Sequence, residues 1–165
     1  MAEEKWNIKV LSVGERSLLK RNAGLVMGYD IRAIEAYYRA VVKPPKVRER
    51  EEKLFACLCM ECLWKEEDYL KELPLEELLK KLYQSDNSSE SMKTRIINML
   101  DIPWGDDGFL IGKIYGLIRK IKTQGVAVKP DFNKLYDDLC QWNSPDQYIQ
   151  RRWIRTICAF DKEEE

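Results

Sequence analysis

DFNKLYDDLCQWNSPDQYIQRRWIRTICAF, residues Asp131 to Phe160, decides the fold. Its first half places Phe132, Leu135, Tyr136, Leu139 and Trp142 at helical spacing. Ser144 then reads as an N-cap, with Pro145 at the first helical position and Gln147 where a capping box takes Glu or Gln. The second half divides by face. Ile149, Trp153, Ile157 and Phe160 fall on one side of a helical wheel. Arg151, Arg152 and Arg155 fall roughly opposite, within an arc of about 100° at 3.6 residues per turn. One helix thus carries an apolar stripe for a core and an arginine stripe for something else. A single charged stripe is usually a solvated face, so its meaning depends on whether other helices repeat it.

They do. Working back along the chain, Phe109 to Gln124 is the cleanest amphipathic segment. Leu110, Ile111, Ile114, Leu117, Ile118 and Ile121 lie within an arc of about 120°. Gly112, Lys113, Gly116, Arg119 and Lys120 take the other side, with Lys122 at its margin. Two glycines on an exposed helix face cost roughly 1 kcal/mol each relative to alanine. Their presence implies either close approach of something bulky or tight helix packing. The preceding helix turns Met92, Ile96, Met99 and Leu100 inward and leaves Lys93 and Arg95 outside. Nearer the start, Ser12 and Glu15 form a capping box. It opens a helix with Leu18, Leu19, Asn22, Leu25 and Val26 on one face and Arg16, Lys20 and Arg21 on the other, and Gly28 is the expected C-cap.

The remaining segments are helical as well. Asp30 caps a helix through Val42, with Ile31, Ile34, Tyr37, Tyr38 and Val41 at core spacing, and Pro44–Pro45 ends it. A third helix is expected from about Val47 to Tyr69; its middle, LFACLCMECLW, is apolar nearly all round and reads as central. A short helix after Pro74 carries Leu75, Leu78, Leu79 and Leu82. Gln84 to Ser91 is polar and turn-rich, the best linker candidate. Val126 to Val128 is too short to read as a strand. The expected fold is all-α, two small packed helical bundles with about seven to nine helices, divided into residues 1–86 and residues 87–165 with an acidic tail.

Composition limits the chemistry. The 165 residues suffice for a sizeable core. Lys+Arg and Asp+Glu are both 28, so only the distribution of charge can point to a polyanionic partner. The absence of histidine removes the commonest general base and every histidine-containing zinc site. Cys57, Cys59 and Cys62 are tempting as metal ligands, but they lie inside one expected helix and have no partner pair, so they read as small buried hydrophobes. Asp106–Asp107 and Asp137–Asp138 are adjacent acids that diverge rather than converge on a metal. No glycine-rich phosphate loop is present. Trp104 either stacks on a base or tucks against the bundle, the second being preferred. No enzyme activity, metal or cofactor is expected. Five cysteines, an odd number, and an acidic start, MAEEKWNIKV, point to the cytoplasm, and no apolar run is long enough to cross a membrane.

The order of segments resembles a known family, the CasB small subunit of the type I-E CRISPR Cascade surveillance complex. Leu11 to Gly24, LSVGERSLLKRNAG, resembles its opening helix, and DIRAIEAYYRAV its second. GLIRKI followed by DFNKLYDDLCQW and YIQRRWIRTICAF is similar to its C-terminal signature. The resemblance covers most of the chain. It implies two small helical bundles, no catalytic centre, and a subunit that touches a second copy of itself and the backbone and large subunits of the complex. It also implies help in holding the crRNA–target DNA duplex and the displaced single strand. By this resemblance Arg16, Lys20 and Arg21, Arg95, Arg119 and Lys120, and Arg151, Arg152 and Arg155 match basic positions of the family's helices. The residues themselves add Lys93, Lys113 and Lys122 to the basic surface. The leading reading is a sequence-independent nucleic-acid-binding subunit; the runner-up is a helical protein–protein adaptor whose basic face docks an acidic partner, and the third is a metal-bound regulator using Cys57, Cys59 and Cys62.

Overall fold

The computed structural model describes residues 4–28, 30–65, 69, 71–85, 89–125 and 127–159. Among them are eight α-helices: α1 Val13–Arg21, α2 Ile31–Ala40, α3 Arg48–Glu61, α4 Leu75–Gln84, α5 Glu90–Leu100, α6 Phe109–Thr123, α7 Phe132–Cys140 and α8 Tyr148–Cys158. A 3-10 turn, Ile8–Val10, precedes them. No helix of the described residues is long and apolar enough to cross a membrane. Ser12 and Glu15 form the expected reciprocal cap. The Glu15 amide donates to Ser12 Oγ at 3.1 Å, and the Ser12 amide donates to Glu15 Oε1 at 2.9 Å. Asp30 caps α2 by accepting from the amides of Arg32 and Ala33.

α3 is the central helix. Every residue from Lys53 to Trp64 is buried, including the three cysteines of its apolar run. Burial pushes the Cys57 and Cys59 thiols well up and the Cys62 thiol up to about 12. They are packing residues, kept as thiols. α1 and α7 lie against α3, and α8 packs most extensively on α4. α6 buries all six apolar positions of its stripe, and α8 buries Ile149, Trp153 and Ile157. Phe160 and the acidic tail lie outside the described residues. Trp104 is tucked in: its amide donates to Asn143 Oδ1, and its carbonyl accepts from Asn143 Nδ2.

Several expectations need correction. α3 ends at Glu61, not near Tyr69. A two-stranded parallel sheet joins β1 Lys71–Leu73 to β2 Val128–Pro130, in the register Lys71↔Val128 to Leu73↔Pro130. Three residues are too few to show an alternating pattern, so the strands left no mark in the sequence. α2 buries Ala33, Ala36, Tyr37 and Ala40, while Ile31 and Tyr38 are exposed. Alanines let a helix approach its neighbour closely, and that face won over the bulkier one. α8 starts at Tyr148 rather than beside Ser144; the Gln147 amide donates to the Ser144 carbonyl at 2.9 Å, closing a turn. Gln147 itself adopts a left-handed conformation, φ 53°. α1 stops at Arg21 with Asn22 as its C-cap, so Gly28 does not cap it and Leu25 is exposed.

Gly24, just after α1, fixes how α1 meets α6. Its φ is +83°, and a Cβ there would stand 2.7 Å from the Tyr115 ring of α6. Gly125 has a similar φ, +72°, with open space around it. Gly125→Ala is therefore expected to cost about 1 kcal/mol, the strain of a left-handed alanine. Gly24→Ala adds overpacking and is expected to cost roughly 3 kcal/mol. Urea denaturation measures both, and equal losses would contradict the close α1–α6 contact.

Candidate nucleic-acid interface

The twelve basic residues singled out in the sequence divide by what each side chain touches. Three are committed to the protein itself. Arg152 of α8 reaches two buried carboxylates: its Nη2 donates to Asp138 Oδ2 of α7 at 2.5 Å and its Nε to Glu76 Oε2 of α4 at 3.3 Å. Lys134 donates to the same Glu76 oxygen at 3.1 Å, and the Trp153 indole donates to Asp138 at 2.9 Å. Burial opposes the Arg152 charge, but the hydrogen bond and charge of Asp138, with Glu76 beyond, hold its pKa above the usual arginine value. The helical wheel puts this arginine on an outward stripe; in the structure it is half-buried and ties three helices together.

Arg16 and Lys122 are committed in a different way. Arg16 Nη2 donates to the Trp64 carbonyl at 2.9 Å, and Lys122 Nζ donates to the Leu63 carbonyl while lying 4.9 Å from the Trp64 ring centroid. Those carbonyls follow the C-terminal end of α3, where the helix dipole favours positive charge. Both residues border an open cleft of about 700 Å³, Lys122 through the Leu63 and Trp64 it contacts and Arg16 as a wall residue beside Lys20. The inner wall of the cleft includes Lys129, paired with Glu61 at 3.1 Å and Glu72 at 2.9 Å. Burial works against the Lys129 charge, and the Glu61 carboxylate with its neighbouring hydrogen bonds more than offsets it. The two tryptophans of the cleft, Trp6 and Trp64, are each only 3% exposed and offer little stacking surface.

A second group gathers on α6. The Arg95 guanidinium of α5 lies over Gly116, 3.6 Å from where a Cβ would stand. Lys113, Arg119 and Lys120 are three or four residues from Gly116 and share its side of the helix. Lys113 stands 5.3 Å from the Phe109 ring and Arg119 5.7 Å from the Tyr115 ring. Among the described residues no carboxylate pairs with Arg95, Lys113, Arg119 or Lys120. The glycine question raised by the sequence has a specific answer: Gly112 faces the Gly24 carbonyl and Gly116 faces Arg95.

A third group lies on α8 and at the start of α5. Arg151 and Arg155, one turn apart on α8, are exposed and have no ion pair among the described residues. The C-terminal end of α8 is held by Gln84, whose Nε2 donates to the carbonyls of Ile157 and Ala159. Cys158 there lies near enough to the Tyr83 hydroxyl to raise its pKa, and Lys93 of α5 stands 5.6 Å from the Tyr83 ring. Lys93 also has Glu90 at 3.9 Å, an exposed contact at the limit of an ion pair. Lys20 and Arg21 project from α1 into solvent. Arg21 adds a minor attraction to Asp30, whose carboxyl is held below its usual range chiefly by the Ala33 amide.

The aromatic supports were not anticipated from the sequence. Phe109–Lys113 and Tyr115–Arg119 are i,i+4 pairs, and that spacing was a signal available to be read. Glu76, Asp138 and Lys134 left no such signal, because they meet only through the packing of α4, α7 and α8. Among the described residues no group of three or more cysteine or acidic side chains is placed to hold a metal.

The fold has counterparts among known proteins. Residues 15–156 match the family model described as CRISPR-associated protein Cse2. Similar solved structures include CasB from M. ruber, 17% identical with a TM-score of 0.67, covering 91% of this chain and 87% of that one. A Cse2-family CRISPR-associated protein from Thermus thermophilus is 22% identical with a TM-score of 0.68, covering 91% and 90%. A chain described as part of a CRISPR RNA-guided surveillance complex is 18% identical with a TM-score of 0.68, covering 91% and 84%. At these identities the shared feature is the fold. No curated protein sequence matches.

The division of the arginines makes a direct prediction. Arg152→Ala takes the cation away from buried Asp138, leaving it only the Trp153 indole, and one of two cations from Glu76, and is expected to destabilise the fold by about 3 kcal/mol. Arg151→Ala, one residue away, is expected to stay within about 0.5 kcal/mol of the parent. Thermal or urea unfolding checks this, and similar losses for both would contradict the assignment.

Proposed function

Because the chain belongs to the CRISPR-associated protein Cse2 family, matched over residues 15–156, we propose that it is the non-catalytic small subunit of a Cascade-type surveillance complex. Its task in this reading is to steady the crRNA–target DNA duplex and the displaced single strand. Its protein partners are the backbone and large subunits of the complex and a second copy of itself, in the cytoplasm. The likeness to a chain of a CRISPR RNA-guided surveillance complex supports that assignment. Of the basic residues singled out in the sequence, those that stand exposed without a carboxylate partner lie mainly on α5, α6 and α8, with Lys20 and Arg21 on α1.

The observation that carries the reading is a set of exposed cations without carboxylate partners on α5, α6 and α8. Arg95, Lys113, Arg119 and Lys120 gather around Gly116, and Arg151 and Arg155 stand a turn apart on α8, while Lys93 of α5 is at the limit of its contact with Glu90. Exposed cations of this kind neutralise phosphates and release condensed counterions, which gives affinity without base reading. Sequence selection then belongs to base pairing between guide and target. Arg16, Lys122 and Arg152 act indirectly, by fixing the helices that present the others.

The test is fluorescence anisotropy with a short single strand and an RNA–DNA duplex over a range of salt. Replacing Arg95, Arg119 and Lys120 together with alanine is expected to reduce the slope of log K against log salt. The reduction is about 2 for a single strand and about 2.7 for a duplex, at roughly 0.7 and 0.9 per phosphate contact. The loss is equal for unrelated sequences. A loss that depends on base sequence, or an unchanged slope, overturns the backbone mechanism. Protein partners captured from extract that persist after nuclease treatment, together with no nucleic-acid binding, would favour the adaptor reading.

A further inference from the structure

We propose that Gly116 is a positioning residue: its bare backbone forms a seat on α6 that holds the Arg95 guanidinium in place for a phosphate. This inference deepens the function proposed above and rests on it. The observation is geometric. Around Gly116, outside its own helix and chain neighbours, the one heavy atom within 4 Å of a Cβ position is the Arg95 Nη2, at 3.6 Å. At Gly112, a turn earlier, the neighbour is instead a main-chain oxygen, that of Gly24, at 4.0 Å. The two glycines therefore do different work, and only Gly116 receives a side chain.

Three features make the seat more than packing. Arg95 is exposed and has no ion pair among the described residues, so the guanidinium is not held there by a carboxylate. Lys113, Arg119 and Lys120 stand around the same point, and a fourth positive charge gains nothing from that neighbourhood except as part of an anion site. The guanidinium reaches the helix through Nη2 alone, and its other N–H groups have no hydrogen-bond partner among the described residues. Arginine presents five donors in a planar fork that matches two phosphate oxygens at once, which a lysine ammonium does not. Restricting the side chain before binding lowers the ordering cost at the moment of contact.

A leucine at 116 places branch atoms where the guanidinium lies, without altering charge. Gly116→Leu is expected to weaken binding about 5-fold, the salt slope falling by roughly 0.7 to 0.9, the contribution of one phosphate contact. In an Arg95→Ala background the leucine is expected to have no further effect. Arg95→Lys keeps the charge and leaves α6 untouched, so it tests the seat even if the leucine disturbs folding. It is expected to weaken binding about as much as Gly116→Leu, and to make the leucine neutral when combined with it. Unfolding curves for each variant monitor the helix, while the salt slope and the double-variant comparison read the seat. If Arg95→Ala weakens binding but neither Gly116→Leu nor Arg95→Lys does, the seat is overturned and the basic surface stands. If neither Arg95→Ala nor the Arg119 and Lys120 substitutions change binding, the proposed function itself falls.

Discussion

The buried carboxylates Asp138 and Glu76 set the geometry of this protein. Their side chains are 6% and 4% exposed, and they belong to different helices, α7 and α4. Charges taken out of water require partners, and breaking one such pair leaves an uncompensated charge that costs several kcal/mol. Arg152 supplies the partner from α8, Lys134 assists on Glu76, and the Trp153 indole adds a second donor to Asp138. A buried ion pair is weak evidence for net stability, since an apolar substitute often does as well. What the arrangement provides is orientation. α8 has one rotation that satisfies both acids, and Trp153 then meets Trp142 edge-on with ring centroids 5.2 Å apart. That rotation turns Arg151 and Arg155 outward.

The same side-chain chemistry consequently serves three purposes. Arg152 neutralises buried acids. Arg16 and Lys122 sit at the carbonyl end of α3, where its dipole favours cations. The remainder stand in water beside aromatic rings or bare helix, without buried carboxylates to hold them. Two unit charges 4 Å apart in water attract by only about 1 kcal/mol, so each exposed cation contributes little alone. A polyanion that meets several at once gains from all of them. α5 divides these cations, with Arg95 turned toward α6 and Lys93 toward Tyr83 and the end of α8.

What the sequence made legible was whatever repeats with the helical period. The six apolar positions of α6, the buried side of α8, the Ser12–Glu15 cap and the Asp30 cap were all readable, because each depends on residues within a turn or two. The failures share a cause as well. Arg152 is indistinguishable from Arg151 until α4 and α7 bring their acids to it. The choice of alanines over Ile31 and Tyr38 on α2 depends on how closely its neighbours approach. Just past the end of α3 at Glu61, the Leu63 and Trp64 carbonyls accept from cations of α6 and α1, partners that no local pattern names. Gly116 was correctly singled out as unusual, but its occupant comes from another helix and no local pattern could name it. The functional direction came from the order of segments along the chain, which resembled one family as a whole while no single motif was decisive.

Lysine acetylation footprinting, read by mass spectrometry with and without bound nucleic acid, tests the central division most directly. Strong protection is predicted at Lys93, Lys113 and Lys120, and no change at the buried or paired Lys53, Lys129 and Lys134. Protection absent from Lys113 and Lys120, with labelling changed instead at Lys129 or Lys134, would contradict that division.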